Sequence, residues 1–175
     1  MRRVADAGRI RSFLSSLGRE ARTPVRAYLA GGATAVLLGW RDSTIDVDLK
    51  LEGEGTDALL RAIPRLKEDL QINVELATPD EFIPVPEGWQ DRSRFESQIG
   101  QLMVFHFELV WQALAKIHRG HRQDLEDARS MLRAGLVDDD QLREAFDRIE
   151  PELYRFPHID PPAFRRAVEA FLSSD

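Results

Sequence analysis

The stretch Leu29-Ala30-Gly31-Gly32-Ala33-Thr34-Ala35-Val36-Leu37-Leu38-Gly39, followed by Arg41, Ser43 and Thr44-Ile45-Asp46-Val47-Asp48-Leu49-Lys50-Leu51, decides the fold of this chain. Before it, Val25–Leu29 is a short apolar run rich in strand formers, and after the two glycines Ala35–Leu38 has helical, apolar character. Thr44–Leu51 alternates strictly. Ile45, Val47, Leu49 and Leu51 share one side, and Thr44, Asp46, Asp48 and Lys50 share the other, which is the period of a half-buried strand. A strand therefore enters a glycine turn, a helix leaves it, and a second strand returns. The alternation puts the carboxylates of Asp46 and Asp48 on one face, about 6.5–7 Å apart at ~3.3 Å per residue. Two carboxylates so placed repel each other, and a divalent cation such as Mg²⁺ relieves that repulsion while also binding phosphate oxygens. Gly31 and Gly32 let the backbone come close to a ligand. They also bare the N–H groups of the following helix start, where anions are favoured, and Thr34 adds a hydroxyl in the first turn.

Working outward, residues 4–18 read as an amphipathic helix with Val4, Ile10, Phe13, Leu14 and Leu17 near one face. Residues 57–70 read as a helix despite Pro64, and 72–77 as an alternating strand with Ile72, Val74 and Leu76 facing in. Residues 78–101 read as irregular, and 103–107 as a further strand. From Glu108 the pattern is helical over 108–118, 122–134, 139–149 and 161–173, with Gly120, Gly135 and the Pro157/Pro161/Pro162 group as breaks. Asp138-Asp139-Asp140 reads as an acidic helix start. The expected architecture is α+β, a small mixed sheet flanked by helices over 1–105 and a helical bundle over 106–175.

The composition permits this and excludes much else. At 175 residues, 43% hydrophobic and 31% charged, the chain has the makeup of a globular protein. It has no cysteine, which removes disulfides, thiolate metal sites and cysteine nucleophiles. The opening residues lack the apolar core of a signal peptide and no run reaches the length of a membrane span, so the expected location is the cytoplasm. A net charge of −6 argues against a broad nucleic-acid-binding face. The basic residues are almost all arginine, the lysines being Lys50, Lys67 and Lys116.

The glycine turn, helix and Asp-x-Asp strand, in that order, resemble the head motif of the nucleotidyltransferase superfamily, the fold of DNA polymerase beta-like enzymes. That resemblance implies a third carboxylate on a neighbouring strand, for which Glu75 in Ile72-Asn73-Val74-Glu75-Leu76 occupies the polar phase. Lys116-Ile117-His118-Arg119-Gly120-His121-Arg122-Gln123-Asp124-Leu125-Glu126-Asp127 looks like the Lys…Arg-x-Asp-x-x-Asp signature of AbiEii/MenT-like toxins. The resemblance implies Mg²⁺ or Mn²⁺ on Asp46, Asp48 and Glu75. It places an NTP on Gly31, Gly32, Thr34, Ser43, Lys116 and Arg122, and gives catalytic parts to Asp46, Asp48, Glu75, Lys116 and Asp124. It further implies transfer of NMP to an acceptor such as tRNA, and a cognate antitoxin as partner. Ala33 stands where many members have serine, with Thr34 as the available hydroxyl.

Two other readings fit the same residues. Antibiotic nucleotidyltransferases share the head motif, and an acidic cleft would suit a cationic aminoglycoside. A catalytically silent nucleotide- or partner-binding module would keep two carboxylates without a third. The four histidines, His106, His118, His121 and His158, show no metal-cage spacing, and Trp40, Trp89 and Trp111 read as core or lip residues.

Overall fold

The computed structural model describes residues 3–174. Two compact units emerge. One comprises the residues up to Thr78 together with Ser93–His106, the other Pro79–Arg92 together with the residues from Phe107 onward. Residues 79–92, which the sequence groups with the first half, thus join the helices.

The first unit is α+β. Its elements are α1 (Ala7–Glu20), β1 (Val25–Ala30), α2 (Gly31–Leu38), β2 (Asp46–Glu52), α3 (Thr56–Asp69), β3 (Asn73–Glu75), β4 (Arg94–Ile99) and β5 (Leu102–His106). The strands form one mixed sheet in the order β3-β2-β1-β5-β4. β1 runs antiparallel to β2 and parallel to β5, β2 is parallel to β3, and β4 is antiparallel to β5. Alternation sorts the two faces. Val25, Ala27 and Leu29 of β1, Val47 and Leu49 of β2, Val74 of β3, and Leu102 and Val104 of β5 join one core. Against them lie Ile10, Phe13, Leu14 and Leu17 of α1, Leu59, Ala62, Ile63 and Leu66 of α3, and Ala33 and Val36 of α2. The opposite phase carries Asp46, Asp48 and Lys50 on β2, and Asn73 and Glu75 on β3.

Several boundaries differ from expectation for identifiable reasons. α1 starts at Ala7 because the Asp6 side chain accepts from the Arg9 N–H and caps it, which leaves Val4 57% exposed ahead of the helix. β2 starts at Asp46. Thr44 makes an isolated bridge to Ala5, and Ile45, expected inside, is 70% exposed. β3 stops at Glu75, so Leu76 does not face the core. α3 tolerates Pro64 on its exposed side because Leu59, Ala62, Ile63 and Leu66 hold the other face. β4 falls inside the stretch expected to be irregular. Its alternation is broken by a bulge between Phe95 and Ser97, and as an edge strand it buries little.

The second unit holds α4 (Leu109–Arg119), α5 (Arg122–Arg133), α6 (Asp139–Ile149) and α7 (Pro161–Ser173), with short 3₁₀ turns at Pro79–Glu81 and Glu150–Arg155. Trp89 stacks on Phe107 at 4.0 Å, which ties 79–92 to the start of the helices. Phe146 and Phe164 meet edge to face at 4.9 Å between α6 and α7. Asp138 and Gln141 form a reciprocal capping box on α6, as the acidic run suggested. Among the described residues no helix is long and apolar enough to cross a membrane.

Candidate active site at the glycine turn

β1 passes directly into α2 at Gly31, whose φ of +59° favours glycine. A Cβ on Gly31 would lie 2.4 Å from Asp48 Oδ2, so the turn is laid against the Asp48 carboxylate. A Cβ on Gly32 would lie 1.9 Å from Thr44 Oγ1. The same Oγ1 donates to the Asp46 carbonyl at 3.0 Å. Both glycines are thus required by close approach to the strand that carries the aspartates. The N-cap residue of α2 is Ala30, which offers no side-chain acceptor to the helix start.

The sheet register assembles the carboxylates. Ala30, Asp48 and Glu75 stand opposite one another across β1, β2 and β3, and Asn73 stands opposite Asp46. Directly paired residues share a face, so Asp46, Asp48 and Glu75 are brought to one side. Asn73 Nδ2 donates to Asp46 Oδ1 and, at 3.2 Å, to Glu75 Oε1. Asn73, not singled out from the sequence, therefore joins the two carboxylates as an amide bridge. Its only sequence signal is its place in the polar phase beside Glu75. Among the described residues no group of three His, Asp or Glu converges closely enough to hold a metal ion. What remains is a pair, Asp46 and Asp48, both half-buried, with exposed Glu75 beside them.

Among the other expected contributors, Thr34, Lys116 and Arg122 are each engaged by protein partners. Thr34 is fully buried, its Oγ1 3.2 Å from the Leu29 carbonyl and 3.0 Å from His106 Nδ1. Its hydroxyl is thus engaged from the core side of the turn. Ser43 is half-buried in the segment before β2. Lys116 lies in the helical unit with only 5% exposure. Its Nζ donates to Asp127 Oδ2 at 2.7 Å and to Asp124 Oδ1 at 3.4 Å. Arg119 donates to both oxygens of Asp124, each at 2.6 Å. Burial pushes the Asp124 carboxyl up, but the Arg119 hydrogen bond and the Lys116 and Arg119 charges together outweigh it and hold it below the usual aspartate value. Gly120, left-handed at φ +71°, ends α4 and turns the chain into α5, so these residues meet across a helix pair, not along one helix. Arg122 is exposed and pairs with Glu126 on the surface of α5. The motif residues Lys116, Asp124 and Asp127 are therefore brought together, but as a closed, buried ion cluster.

A family model described as "Nucleotidyltransferase of unknown function (DUF6036)" matches residues 9–157. The chain belongs to this nucleotidyltransferase family. No curated protein and no solved structure gives a significant match. The match to the nucleotidyltransferase spans the glycine turn, the Asp-x-Asp strand, Glu75 and the Lys116 cluster.

Proposed function

We propose that this nucleotidyltransferase moves a nucleoside monophosphate from an NTP to an acceptor hydroxyl, with Asp46 and Asp48 as the metal-binding pair. The observation that carries this reading is the placement of the glycine turn against the Asp48 carboxylate. The backbone of a phosphate-binding helix start and a carboxylate suited to a hard cation then lie within one ligand's reach. The donor set fits Mg²⁺, which is bound through one or two carboxylates together with substrate phosphates and does not need a full protein cage. When bound, Mg²⁺ or Mn²⁺ would supply charge neutralisation at the phosphates. Asp46 and Asp48 would hold it, and the Asn73 amide orients Asp46. The glycine turn would orient the phosphates through its N–H groups. The acceptor oxygen bonds to the α-phosphorus as the bond to the bridging oxygen breaks, pyrophosphate departs, and the acceptor proton passes to a base. Glu75 is the carboxylate we assign to that proton.

We assign Lys116 and Asp124 to the scaffold of the helical unit, because each is buried and already paired. A basic neutraliser for the triphosphate is then to be sought elsewhere. The resemblance of residues 116–127 to AbiEii/MenT-like toxins favours tRNA as acceptor and a cognate antitoxin as partner; it is the only support for that choice. The absence of a converging third carboxylate among the described residues favours a second reading, a nucleotide-binding module without turnover. Titrating the protein with each NTP in Mg²⁺, with transfer measured in parallel on total RNA, separates the two. Binding with transfer supports the enzyme, and binding without transfer to any RNA supports the module.

A further inference from the structure

His106 ends β5 with no exposed surface, and both its ring nitrogens are engaged. Nε2 lies 2.8 Å from Glu96 Oε2 and Nδ1 lies 3.0 Å from Thr34 Oγ1. Burial pulls the ring below the ordinary histidine value. The Glu96 hydrogen bond and charge oppose that pull, and the Arg94 charge adds to it. A carboxylate only accepts, so the proton of a neutral ring sits on Nε2 and Nδ1 is left as the acceptor. The Thr34 hydroxyl has one hydrogen, and both Nδ1 at 3.0 Å and the Leu29 carbonyl at 3.2 Å are acceptors in reach of it. The Glu96-set tautomer decides between them. As a stabiliser, a buried polar chain gains little over apolar packing of the same shape. What it gives is direction, and Thr34 stands two residues past Gly32 at the start of α2.

We propose that His106, oriented by Glu96, is a positioning residue for the nucleotide: it fixes Thr34, and through Thr34 the backbone of the Gly31–Gly32 turn that receives the NTP phosphates. The proposal rests on the nucleotidyl-transfer reading for its ligand. Two measurements test it. In ¹⁵N NMR of histidine-labelled protein at neutral pH, the His106 signals, assigned by their loss in His106→Gln, show Nε2 protonated and Nδ1 bare. In kinetics, Glu96→Leu raises KM for the NTP about tenfold, the cost of about one directed hydrogen bond, and leaves kcat within about twofold. Glu96→Gln, whose carbonyl still accepts from Nε2–H, stays near wild type. A variant that is merely less folded loses active protein, which lowers the apparent kcat and leaves KM alone, so the split distinguishes positioning from stability. A proton on Nδ1 in the wild type overturns the proposal. So does an unchanged KM in a Glu96→Leu protein that still transfers nucleotide, while loss of transfer on Asp46→Ala keeps the parent reading intact. A wild type that neither binds nor transfers any nucleotide overturns both.

Discussion

Asp48 and Gly31 are in contact because one residue lacks a side chain exactly where the other needs room, and neighbouring glycines differ sharply in what they can accept. Gly32→Ala would drive a methyl into Thr44, whose hydroxyl is 1.9 Å from the ideal Cβ position and whose own Cβ is 2.6 Å away. Thr44 is buried and holds the Asp46 carbonyl, so it has little room to yield. We expect a loss of about 2–3 kcal/mol in denaturant unfolding, together with loss of nucleotide binding. Gly39→Ala, at φ +97° but with nothing within 4 Å, should cost only about 1 kcal/mol and leave binding unchanged. Equal losses at the two positions would contradict the close-approach account. At this scale the aspartates were legible, since strict alternation fixes their face whatever surrounds them. Glu75 was legible by phase. Asn73, Glu96 and His106 were not, because their roles depend on partners 27, 10 and 72 positions away. The burial of Thr34 was not legible for the same reason. A hydroxyl in a first helical turn suggests a ligand contact until β5 places His106 behind it.

The α4–α5 pair is pinned by a buried ion cluster, and this sets what its disruption does. Lys116→Met removes the ammonium that donates to Asp127, a carboxylate 1% exposed that also accepts from Gln123. Loss of one partner of a buried pair costs about 3 kcal/mol, with Arg119 still serving Asp124. Lys116→Met combined with Asp127→Leu should recover most of that loss, since an apolar pair of similar volume removes the uncompensated charge. Urea unfolding of the single and double variants decides the matter. No recovery in the double variant, or a large loss of nucleotide affinity in the single one with stability unchanged, would return Lys116 to the ligand. The four long helices were readable from their periodicity and their glycine and proline breaks. β4 was not, because a bulged edge strand shows neither alternation nor an apolar run.

For the whole molecule, buried His106 and half-buried His118 set the acid limb of stability. His106 and His118 both lie below the ordinary histidine value, burial being the largest cause in each, with His158 adding to the effect at His118. The unfolded chain takes up a proton at each site near pH ~6.5 while the folded chain does not, so stability falls as pH drops from about 7 and levels once the folded rings protonate. Asp124 acts in a separate window. Its folded value is depressed, so its contribution is full above about pH 4 and is lost only below. Melting temperature against pH should show these two limbs, and His118→Gln should shrink the upper one to the part His106 contributes and leave the lower one unchanged. A flat profile between pH 7 and 5 would contradict the neutral rings.

The most direct measurement of the central claim is incubation of the wild type and of Asp46→Ala/Asp48→Ala with each of four labelled NTPs, Mg²⁺ and total RNA. The account predicts label on an RNA with the wild type and none with the double variant, the variant melting close to the wild type because both side chains are half-buried on an open phase of β2. Equal labelling by the two proteins would contradict the assignment of the chemistry to the aspartate pair beside the glycine turn.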